Sequence, residues 1–148
     1  GFTREVVSHF LFLTRRLCGR LTLLAGEASF PEAGRSERAI SATLEAGGLP
    51  VSLAGGVGTT KKDDHNLWTL TGEAGAIRLR DWSVAERRLA DGSWEADPAA
   101  MANERTRPLV LKRQLEGVAR MTAGQPHHLA TLQEAFEVQM VAERILAG

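Results

Sequence analysis

Glycine-bearing links only a few residues long, set between β-compatible stretches, constrain this chain more than any other feature. Gly47-Gly48 joins AISATLEA to LPVSLAGG, and Thr71-Gly72-Glu73-Ala74-Gly75 joins NLWTL to AIRLRDW. Asp91-Gly92 joins VAERRLA to SWEA. Such pairs suit tight hairpins because the turns require positive φ. A parallel crossover takes roughly a dozen residues or more, so strands joined this closely pair antiparallel. With RLTLLAGEAS ahead of them, about seven short strands fill the middle of the chain. Two segments interrupt them as loops: Phe30–Glu37, with Pro31 and Gly34, and Gly55–His65.

At both ends the period becomes helical. A first helix is predicted from Thr3 to Cys18, with Thr3 as its cap and Glu5 in the positive first turn. Arg15 and Arg16 suit its last turn, and Gly19 can end it in the left-handed conformation. Val6, Phe10, Leu13 and Leu17 form the expected core stripe. Glu5, His9, Phe12 and Arg16 form the next stripe, which puts His9 at the edge of the buried face. After a polar stretch around Asp97–Pro108, a second helix is predicted over Leu109–Ala123, with Leu111, Leu115, Val118 and Met121 along one side. Gly124 and Pro126 end it. The third opens on a capping box, Thr131 to Glu134, and is expected to bury Leu132, Ala135, Phe136, Ala142, Ile145 and Leu146.

Strands grouped apart from helices indicate an α+β fold. Residues 1–148 then make one domain, an open, mostly antiparallel sheet with helices packed on one face. Several strands carry apolar or small residues on both alternations: Leu21 and Leu23 against Thr22 and Leu24, Val51 and Leu53 against Ser52 and Ala54. Either the second face is covered by something outside the chain, or its small, weakly polar side chains face water.

Composition narrows the function classes. Eighteen basic and eighteen acidic residues cancel, leaving no electrostatic footprint for nucleic acid or an anionic membrane. Cys18 is alone and cannot form an internal disulfide. Without a secretory signal or an apolar run near 18 residues, the expected setting is soluble, reducing and cytoplasmic.

The motifs with chemical meaning are few. Gly55-Gly56-Val57-Gly58-Thr59-Thr60-Lys61-Lys62 resembles a phosphate loop, but the position that must hold Gly before Lys holds Thr60. A strand is expected to follow, so no helix N-terminus meets a phosphate and no βαβ unit holds a dinucleotide. His127 and His128 match no zinc spacing, and Cys18 has no partner cysteine. Cys18 is expected as a small core residue, and Trp68, Trp82 and Trp94 as core or sheet-face residues. Ser8 and His9 are helix neighbours that do not face each other, which excludes a nucleophilic Ser–His pair. His9 with Glu5, one turn away, is the better pair: the carboxylate can orient the ring for acid–base work or for binding substrate hydroxyls. The competing account is a boundary histidine beside a helix-dipole glutamate.

Three stretches resemble the glucose–fructose oxidoreductase / inositol dehydrogenase family, also called Gfo/Idh/MocA. Glu5-Val6-Val7-Ser8-His9 with Phe10–Gly19 is similar to the helix that opens its C-terminal domain. Trp68–Leu79 is similar to its hairpin, where a Gly-x-x-Gly turn precedes a strand, and Gly124–Gly148 resembles its closing segment. The resemblance implies a substrate-binding and oligomerisation domain of an NAD- or NADP-dependent oxidoreductase acting on a sugar, inositol or related polyol. It also implies that His9 holds the place of the active-site histidine, and that Glu5 stands where many members have aspartate. Phe12 replaces a frequent aspartate. The catalytic lysine and the nucleotide loop would belong to an N-terminal dinucleotide-binding domain outside this chain, so the isolated chain is expected to be inactive and to bind no cofactor; the histidine spacing gives no reason to expect a metal either. Its expected partners are that domain, the polyol substrate and a second copy through the sheet. The other class of function left open is a non-catalytic α+β module that dimerises or binds a small ligand.

Overall fold

A computed structural model describes residues 1–61 and 65–148, and its strands are built on the glycine turns. Gly47 and Gly48, at φ 57° and 85°, tie β2 (Ala39–Ala46) to β3 (Leu49–Gly56). A Cβ on Gly47 would lie 2.1 Å from the carbonyl oxygen of Cys18, so close backbone approach as well as the turn requires glycine there. β1 (Leu21–Ser29) pairs with the other edge of β2, with a bulge between Leu23 and Ala25. The three make one antiparallel sheet in the order β1-β2-β3.

The remaining strands form a second sheet. β4 (Leu67–Gly72), β5 (Gly75–Arg80), β6 (Val84–Arg88) and β7 (Trp94–Ala96) lie in chain order. Across the Asp91-Gly92 loop the Leu89 N–H donates to the Ser93 carbonyl at 2.8 Å. Every described strand pairing is antiparallel, and the α+β class holds, with the strands divided between two sheets. The chain likewise divides into two units: residues 1–59 with 130–148, and residues 60–129.

In the first unit a π-helical segment, Thr3–Val7, runs into α1 (Ser8–Cys18), and α3 (Leu132–Ala147) closes the chain. Both helices pack on the same face of the first sheet. β2 shows why: Ile40, Ala42, Leu44 and Ala46 are buried, whereas Ala39, Ser41, Thr43 and Glu45 between them are exposed. The buried set meets Val7 and Leu11 of the first helix and Val138, Val141, Ala142 and Ile145 of α3. Burial of a side chain such as Leu44 contributes about 1.5–3 kcal/mol. The other face carries Thr22, Ser41, Thr43, Ser52 and Ala54 exposed within this chain, and the bulge turns Leu24 outward.

Helix registers depart from the sequence expectation. The buried stripe of the first helix is Thr3, Val7, Leu11 and Thr14, one position on from Val6, Phe10 and Leu13; Leu17 is 61% exposed. Apolar residues fill adjacent positions in FLFL, so either stripe could turn inward and packing decides. Thr14 tolerates burial because its hydroxyl donates to the Phe10 carbonyl at 2.7 Å. His9 accordingly lies on the exposed side rather than at the core edge. Thr3 is no cap; it lies inside the first turn, and its N–H donates to Glu37 Oε1 at 2.7 Å. Gly19 takes φ 110° and ψ −169°, a glycine region but not the left-handed helical one.

α3 opens on the expected capping box, Thr131 Oγ1 accepting from Glu134 N–H at 3.1 Å and Glu134 Oε2 from Thr131 N–H at 2.8 Å. Its buried face is Val138, Val141, Ala142 and Ile145, while Leu132 and Phe136 are exposed. α2 (Asn103–Thr122) begins six residues before the expected Leu109, takes Pro108 into its second turn and belongs to the second unit. None of its residues is buried, and Leu111, Leu115, Val118 and Met121 are exposed.

Candidate functional site

Glu5 sits in the π-helical segment and His9 in the first turn of α1, both exposed on the side of the helix opposite the buried stripe. The two sequence-predicted site residues therefore share an open face of one helix. Ser8 donates its hydroxyl to the Arg4 carbonyl at 2.7 Å, which occupies it away from His9.

Glu5 also borders a cavity of about 540 Å³, with Phe2, Val6, Arg35, Glu37 and Arg38 among its walls. His9 is not among those lining residues. Glu37 comes from the loop between β1 and β2 and is only 3% exposed. Burial, the largest single influence, pushes its carboxyl up, but the hydrogen bonds it accepts, that from the Thr3 backbone N–H foremost, together outweigh it and hold the group below the usual carboxylate range. A loop anion thus does the work of a helix cap. Beyond it, Arg4 and Glu143 pair across a smaller cavity of about 380 Å³ that Glu37 also lines. Their hydrogen bond raises the Arg4 pKa and lowers that of Glu143.

Charge also gathers on the second sheet. Glu86 of β6 has its side chain 6% exposed and accepts from Arg80 at 2.9 Å and from Arg78. Those bonds, Arg80's first, hold its carboxyl below the usual range. Arg78 in turn lies over the Trp94 ring, 4.1 Å from its centroid. The β5–β6 turn carries two non-glycine residues at positive φ, Asp81 at 48° and Trp82 at 70°. Asn66 supports both: its carbonyl accepts from the Asp81 N–H at 3.0 Å and its Oδ1 from the Trp82 N–H at 3.2 Å. Trp82 lines a third cavity, of about 520 Å³, together with residues of α2. Tryptophans in or beside strands were expected, but nothing in the sequence singled out Trp82, since a left-handed tryptophan has no sequence signature.

Among the described residues the other motifs bring together no further site. The end of the glycine-rich stretch, Lys62, lies outside the described residues. His127 and His128 are exposed in the α2–α3 connection, where His127 Nδ1 accepts from the Leu129 N–H at 3.3 Å. Among the described residues no group of three or more His, Cys, Asp or Glu side chains could hold a metal ion. Cys18 is half-buried at the end of α1. No helix among the described residues is long and apolar enough to cross a membrane.

No family model and no curated protein matches the sequence. Two solved structures share the fold. One, from Klebsiella pneumoniae and described as an oxidoreductase, aligns with a TM-score of 0.65 and 14% identity over 97% of this chain and 46% of that one. The other, from Bacteroides fragilis NCTC 9343 and described in the same way, gives 0.61 and 15% over 99% of this chain and 48% of that one. This chain thus spans about half the length of the solved structures it matches. At such identities the likeness shows the fold alone.

Proposed function

We propose that this chain is the substrate-binding half of a two-domain oxidoreductase that uses NAD or NADP on a sugar, inositol or related polyol. The observation that carries the reading is the fold match: almost the whole chain aligns with about half of each of two proteins described as oxidoreductases. The motif likeness at Glu5 and His9 supports it, as does the exposure of both on one helix face. In this account His9 binds a substrate hydroxyl and assists its proton transfer, with Glu5 orienting the ring. A lysine of the dinucleotide-binding domain acts beside it. NAD or NADP, held by that domain, supplies or accepts the hydride.

The test is made on the complete two-domain protein, following nicotinamide absorbance with a panel of polyols. Replacing His9 by Ala should lower turnover by ~10²–10⁴-fold while circular dichroism and the melting temperature stay unchanged. Unchanged kinetics would return His9 to a structural role.

Under the same reading a second copy covers the helix-free face of the first sheet, giving a two-fold contact. The run of small side chains at Ser41, Thr43, Ser52 and Ala54 suits close sheet-on-sheet packing. Light scattering at micromolar concentration should report at least a dimer, and one chain mass would refute the contact.

A further inference from the structure

We infer that the cleft between Trp82 and the start of α2 is a binding site for a planar aromatic acid, a site independent of the oxidoreductase reading. Its walls are Trp82 and one face of α2: Asn103, Arg107, Val110, Leu111 and Gln114, at helical spacings of i, i+4, i+7, i+8 and i+11. The volume of about 520 Å³ falls within the range of small-molecule sites. All of these residues belong to the second unit.

Three observations select the ligand. The indole of Trp82 with Val110, Leu111 and Pro108 makes an apolar slot that favours a flat ring over a hydroxyl-rich one. Arg107 is exposed, no described residue forms an ion pair with it, and no described Asp or Glu lines the cleft. A carboxylate entering here therefore meets a guanidinium that can bind it through two parallel N–H···O bonds. Asn103 is the first residue of α2, so the positive end of the helix favours the same charge. Gln114 and Asn103 add amide donors.

The backbone adds a reason for tryptophan itself. At φ 70° a glycine or asparagine would sit with less strain, yet Asn66 holds a bulky indole in this conformation and presents it to the cleft. The tryptophan is thus kept against the preference of its own turn.

The probe is 2-naphthoate, with 2-naphthamide as its neutral twin, titrated against the whole chain by isothermal calorimetry. Saturable binding of the acid is expected, about tenfold or more tighter than the amide. Arg107→Gln, an exposed change, should abolish that preference while leaving the amide's weak binding unaltered. Trp82→Asn, which suits the turn, should weaken both ligands by about tenfold or more. Equal affinity for acid and amide, an acid preference that survives in Arg107→Gln, or no saturable binding up to millimolar ligand would each overturn the site. A light-scattering increase that Leu111→Asp abolishes would do so as well, by showing that a second copy occupies the cleft.

Discussion

Buried carboxylates distinguish both units at the level of single residues. Glu86 is the clearer case, since two arginines hold it ionised in the folded state. Its folded pKa is below the unfolded value of about 4.3, so its contribution is fully present above that pH and is lost as the pH falls through the folded value. Replacing Glu86 by Gln should therefore lower stability at neutral pH by about 1–3 kcal/mol, with solvent access to Arg80 keeping the loss in that range. The same change should flatten the fall in stability below pH ~4. Urea midpoints between acid and neutral pH measure both; a variant with the wild-type acid limb would show that Glu86 is not its source. Glu37 was equally hidden in the sequence. Local patterns find caps supplied by neighbours, and Thr3 had the right chemistry, but the acceptor that meets its N–H comes from 34 residues away.

Elements were legible wherever the signal was local. The Gly47-Gly48 turn, the Asp91-Gly92 loop and the Thr131–Glu134 capping box stand where the residues placed them, because turn and cap chemistry act over two to four positions. The inward face of a helix is a tertiary property, and α1 shows how an apolar run such as FLFL leaves it open. Leu11 and Leu17 separate the two registers. Leu11→Ala should cost about 2–5 kcal/mol, whereas Leu17→Ala should stay within about 0.5 kcal/mol. Equal losses on thermal or chemical denaturation would place the buried stripe elsewhere. The start of α2 was missed for a related reason. Pro108 reads as a boundary, yet the helix accommodates it in the second turn. As for the candidate site, the one-turn spacing of Glu5 and His9 paired them and the resemblance gave the pair its role, whereas the cleft at Trp82 had no trace in spacing or composition.

At the scale of the whole molecule, the strand connections bear on cofactor binding. All the described strand pairs are antiparallel, and among the described residues no βαβ crossover offers a helix N-terminus to a pyrophosphate. Calorimetric titration of this chain alone with NAD and with NADP should give no measurable heat of binding, and micromolar affinity for either would contradict it. The distribution of burial points to a second property. Nearly all the buried residues belong to the first unit, and α3, which lies after the whole of residues 60–129, supplies four of them.

That placement has a consequence for the chain as it leaves the ribosome. Ile40, Leu44 and their neighbours are made early, but the helix that covers them emerges only after some ninety further residues have been translated. Until then the nascent sheet shows its greasy side, a natural target for a holding chaperone and for self-stickiness. A stop codon ahead of Val138 would leave the nascent protein in that state permanently, and the cell should meet it as a degradation substrate rather than as a shortened but folded protein.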